Sequence, residues 1–195
     1  MGRSTVSQLI ARGKAENGYN NSGIDRDDAW VDFFNDALGD LVDDLQLRVP
    51  LSLTYDGSTR QIVLPSDFYG FAELYDQFGC PVRERPDYGS DLYWWPEGYF
   101  ILDIGGNKVV DLYRYTSAQS FQGLYIRYPA YIPYTTVGLE SFPEVPTVGE
   151  KALIFYAIGK ALRNNNQMGQ AQEYERLYEL ERKKIRNATA RARGY

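Results

Sequence analysis

The sequence predicts an α+β fold: a bundle of about four helices from the N- and C-terminal parts, with a central, mostly antiparallel β region. Three observations carry this. Apolar residues recur at helical spacing up to about residue 48 and again beyond 147, they alternate with period two between 49 and 130, and prolines stand near the changeovers. The expected organisation is one domain in three stretches: 1–48 N-terminal helices, 49–130 central β region, and 131–195 C-terminal helices with a basic tail. The helical parts are expected to pack together.

In "TVSQLIARGKA", Thr5 and Gln8 have the T-x-x-Q spacing of a capping box, followed by Val6, Leu9 and Ile10 on one face of a short helix. "ENGYNNSGID" reads as a polar loop whose Asp25 can cap a second helix, with Asp27 and Asp28 favourably placed in its first turn. That helix, expected to run to about Arg48, carries Trp30, Phe33, Phe34, Ala37, Leu38, Leu41 and Leu45 as one broad apolar stripe. Pro50 is expected to end it. "LSLTYDGSTRQIVLP" then reads as a β-hairpin turning at Asp56-Gly57, and "YFILDIGGNKVVDLYRY" as a second turning at Gly105-Gly106-Asn107. Short strands and loop are expected in "GCPVRERPDYGSDLYWWPEG", and "GLYIRYP" is a further strand closed by Pro129.

"YIPYTTVGLESFPEVP" is a proline-punctuated connection into "TVGEKALIFYAIGKALR", where Thr147 and Glu150 have capping-box spacing. Ala152 to Ile158 is apolar without a break, so this helix must be covered on nearly every side. "NNNQMGQ" interrupts. A last helix from about Gln170 to Arg186 has a narrow stripe of Ala171, Tyr174, Leu177, Tyr178 and Ile185.

Composition removes several function classes. The 195 residues hold no histidine, the usual acid–base group and transition-metal ligand, and a single cysteine, Cys80, so an intrachain disulfide and a multi-cysteine zinc site are out. No cofactor is expected. No stretch reads as a membrane span or a secretory signal, so the expected setting is cytosolic. Seventeen tyrosines suit either a tyrosine-rich sheet or protein interfaces. Net charge is −5, yet residues 1–180 sum to −10 and residues 181–195 to +5. An acidic body with a basic tail suggests self-complementary subunits or an acidic partner.

Asp28, Asp32, Asp36 and Asp40 repeat every four residues and share one helix face. Carboxylates in a row about 6 Å apart do not converge as a cation requires. A solvated face is the plainer reading, or one kept negative to meet a neighbour's cations, because like charges at this spacing each cost about 0.2–0.5 kcal/mol. In "LYWWPEGYF", Tyr93, Trp94, Trp95 and Tyr99 form either a core or interface plug or an exposed platform for sugars or bases. The basic tail, Arg182, Lys183, Lys184, Arg186, Arg191 and Arg193, could bind nucleic acid, but so acidic a body repels a polyanion, which favours docking on an acidic protein surface. "DIGGNK" is a turn lacking phosphate-loop spacing. No catalytic motif emerges.

The segments "TVSQLIAR", "DDAWVDFFNDALGDLVDDL", "RQIVLPSDFYGFAEL", "LYIRYPAYIP" and "FPEVPTVGEKALIFYAIGKALR" together resemble the head-to-tail adaptor (connector) proteins of tailed bacteriophages, including tail-tubular adaptors. The resemblance spans nearly the whole chain and rests on the order and spacing of its segments. It implies a virion protein, assembled in the host cytoplasm, that forms a ring of about twelve copies beneath the portal protein, meets a tail or nozzle protein, and extends a channel through which DNA passes without specific binding. It further implies that Leu180 to Tyr195 reaches toward the portal and that the aspartate row lines the channel or contacts a neighbouring subunit. On that reading, deleting 181–195 is expected to leave the fold intact and abolish docking. "RERPDYGSDLYWWPEGYF" matches no motif of the family. A reading from a different class is a β-rich module that recognises glycan or single-stranded nucleic acid through exposed aromatics.

Overall fold

The computed structural model describes residues 3–16, 26–85, 98–113 and 115–193. The chain divides into two compact units, a helical one of Met1–Gln46 with Pro129–Tyr195 and a β unit of Leu47–Tyr128. The class is α+β, with helices drawn from both ends of the chain and antiparallel sheets between.

Helix α1, Val6–Glu16, opens with the capping box read from sequence: Thr5 N donates to Gln8 Oε1 at 3.0 Å and Gln8 N to Thr5 Oγ1 at 3.4 Å. It approaches α2, Asp27–Asp40, so closely that a Cβ on Gly13 would stand 2.5 Å from the Trp30 ring. The expected Asp25 cap lies outside the described residues. The second helix is shorter than expected. It stops at Asp40, a four-residue α3 follows at Val42–Leu45, and left-handed Gln46 turns the chain so that Arg48 already belongs to a strand. Asp40 opposes the dipole at the end of α2, whereas Asp43 and Asp44 fall in the first turn of α3, where acidic residues suit it.

A short α4, Thr136–Glu140, lies in the proline-punctuated connection, and a 3-10 turn at Thr147–Gly149 leads into α5, Glu150–Asn164. The second expected capping box does not form as read: Glu150 accepts instead from Ser4 N at 2.8 Å and Ser4 Oγ at 2.7 Å. From Ala152 to Ile158 every residue except half-buried Tyr156 is buried. Asn166, with φ 58°, makes the turn into α6, Met168–Ala192. This last helix outruns its expected end because its alanine-rich final turns favour helix. Ala171, Tyr178 and Ile185 are buried as the stripe requires, and Glu181 joins them.

The β unit holds two three-stranded antiparallel sheets. One has the order β1 (Arg48–Tyr55), β6 (Gln119–Arg127), β3 (Phe68–Tyr75); the other has β2 (Gln61–Val63), β5 (Asn107–Tyr113), β4 (Gly98–Ile104). The expected hairpin across 51–64 is therefore wrong in its pairing. β1 pairs with β6 and β2 with β5, and the Asp56-Gly57 turn carries the chain from one sheet to the other. Pro50 sits within edge strand β1 opposite Leu124, where its missing donor costs no ladder bond on the open side. The hairpin of β4 and β5 is as read, with Gly105 and Gly106 both at positive φ, as a type I′ turn demands. Phe68, Val110, Leu112 and Phe121, each at most 1% exposed, form the centre of the β core.

Candidate functional site

The aspartate row divides into two parts with different surroundings. Asp28 pairs with the neighbouring Arg26, whose hydrogen bond holds its carboxyl below the usual range against the opposing effect of burial. Asp32 and Asp36 are exposed and have no ion pair among the described residues. Asp40 accepts from the Tyr178 hydroxyl at 2.6 Å. Burial first, and then that bond, raise the tyrosine's pKa.

One more step of four residues reaches Asp44, which sequence reasoning missed. Its side chain is 3% exposed, and each of its oxygens takes an arginine, Arg182 on one and Arg186 on the other at 2.8 Å. The hydrogen bond to Asp44 is the chief reason the Arg182 guanidinium is held more firmly protonated than usual. A signal existed in the sequence, because Arg182 and Arg186 repeat the four-residue spacing of Asp40 and Asp44.

The basic tail is therefore part of a helix whose one face is packed and whose cations are largely taken up by internal partners. Lys184 bonds Glu181 at 2.7 Å, and Arg193 reaches Gln46 at 3.3 Å. Lys183 and Arg191 are exposed and have no ion pair among the described residues. Ile185, 0% exposed, lies in the same stretch. Residues 181–195 thus include core, and removing them all leaves a cavity and an uncompensated Asp44 rather than an intact fold.

Tyr99 is not a platform. It is 6% exposed, stands edge-on to Phe71 with ring centroids 4.9 Å apart, and its hydroxyl pKa is pushed up to about 12 by burial and by Glu84. Tyr93, Trp94 and Trp95 lie outside the described residues. Among the described residues no group of three or more Asp, Glu or Cys side chains could hold a metal ion, and no helix is long and apolar enough to cross a membrane.

The described residues show opposed charges matched across packed helices of the helical unit. A family model described as SU10 adaptor protein matches residues 4–195, and the chain belongs to that family of phage adaptors. No curated protein matches it.

Proposed function

We propose that the chain forms an oligomeric ring that joins the portal to the tail and extends the DNA channel, acting through assembly rather than catalysis. The observation that carries this reading is the family match over almost the full length. The division of charge supports it: Asp44 takes up Arg182 and Arg186 and Glu181 takes up Lys184, which leaves Lys183 and Arg191 as exposed tail cations without an ion pair among the described residues. Those two, with the last residues of the chain, dock on the portal. About twelve copies is the number the resemblance suggests.

Size-exclusion chromatography with light scattering, on the protein alone and mixed with portal protein, tests the reading. A ring or a portal complex is expected, and a chain that stays monomeric in both conditions overturns it. Lys183→Glu with Arg191→Glu is expected to keep the helical fold and lose portal docking, and docking retained by that variant removes the tail from the interface.

A further inference from the structure

The helical unit carries its exposed charge on two different faces. Lys184 stands two positions beyond Arg182 on α6, about 200° round the helix from the face that meets Asp44. There, with Arg12 and Lys151, it borders a hollow of about 670 Å³ that also takes in Ser4, Thr147, Glu150 and Glu181. The two glutamates are covered and already matched, Glu150 by Arg12 at 3.1 Å and Glu181 by Lys184 at 2.7 Å. Their side chains are 6% and 10% exposed, against 44% and 59% for Arg12 and Lys184. What the hollow shows to solvent is therefore cationic. Lys151 is exposed beside it without an ion pair among the described residues, and the first turn of α5 adds the positive end of its dipole.

The exposed carboxylates Asp32 and Asp36 lie elsewhere. Asp36 lies near Tyr156, whose pKa is raised chiefly by burial and which Lys160 also approaches, 5.2 Å from the ring centroid, and Tyr156 stands about 140° round α5 from Lys151. A body with unpaired exposed carboxylates on one face and, on another, a hollow whose exposed charge is cationic, with Lys151 unpaired among the described residues, is complementary to itself head to tail by rotation about an axis rather than by a two-fold.

We propose that the hollow seats a second copy of this chain, which brings Asp32 and Asp36 of its α2 against Lys151, Lys184 and Arg12. Copies then join head to tail. The proposal rests on the ring reading and supplies its subunit contact.

Sedimentation velocity on the full-length chain, with portal protein present if the chain alone is monomeric, tests it. Lys151→Glu with Lys184→Glu, and separately Asp32→Lys with Asp36→Lys, are each expected to weaken self-association at least about tenfold, since each sets like charges face to face. Mixing the two variants restores assembly, because the acidic hollow of one accepts the basic α2 of the other and the reverse contact is also matched. Lys151→Glu alone breaks no ion pair among the described residues and weakens assembly in the same direction, which guards against misfolding around Glu181. Wild-type assembly with unaffected variants, or a mixture that fails to recover, overturns this contact and leaves the ring standing. A wild type that never assembles overturns the ring as well. Normal assembly of the Asp32→Lys, Asp36→Lys chain with impaired DNA passage assigns the row to the channel and overturns the proposal.

Discussion

Asp44 and Glu150 are both buried carboxylates, and both are held by groups far along the chain. A buried charge is tolerated only when it is matched, so removing the match costs more than the pair itself contributes. Arg182→Ala with Arg186→Ala is expected to destabilise the protein by about 3–5 kcal/mol, read from urea unfolding, because Asp44 is left uncompensated. At Glu150, burial raises the pKa, but the Ser4 amide and hydroxyl and Arg12 outweigh it, so the folded value lies below the ordinary 4.5. A lowered carboxyl pKa stabilises the fold above the unfolded value, and that stabilisation is lost as pH falls through the folded one. The melting temperature of wild type should therefore exceed that of Glu150→Gln at neutral pH, and the gap should close as pH drops below about 4.5.

The elements differ in how much of them a sequence can show. Helices α1, α2, α5 and α6 are legible because their determinants are local: the Thr5 and Gln8 box, the stripe from Trp30, and the continuous apolar run after Lys151. Period two identifies β1 and β2 as strands but says nothing of their partners, which lie in β6 and β5. β3 hides even its period, since register shifts at Phe68/Gly70 and Phe71/Glu73 break the alternation. The row of aspartates was visible, but its use was not, because spacing cannot tell a solvated face from one met by a distant helix. For α6 the expected boundary of function moves. A chain ending at Leu180 loses Ile185 and both partners of Asp44 and is expected to unfold more easily by several kcal/mol, about 2–5 from the buried isoleucine alone. One ending at Asn187 keeps all three and should melt close to wild type by circular dichroism.

At the scale of the whole molecule, charge is sorted rather than spread. Internal pairing takes up Asp40, Asp44, Arg182 and Arg186, and leaves Asp32, Asp36 and Lys151 for solvent or a neighbour. Contacts between exposed charges are screened over about 8 Å at physiological salt, so assembly measured by sedimentation should weaken steadily as salt rises. The helical unit also joins the first residues of the chain to its last third: Arg3 donates to the Pro143 and Val145 carbonyls, Val6 N to Ser141 O at 3.0 Å, and Ser4 and Arg12 to Glu150. During synthesis the β unit emerges as one continuous segment, able to pair its strands as soon as β6 clears the ribosome. Helices α1 and α2 can meet each other early, at Gly13 and Trp30, but the apolar surface they present to α4 and α5 stays open until the last third of the chain is made.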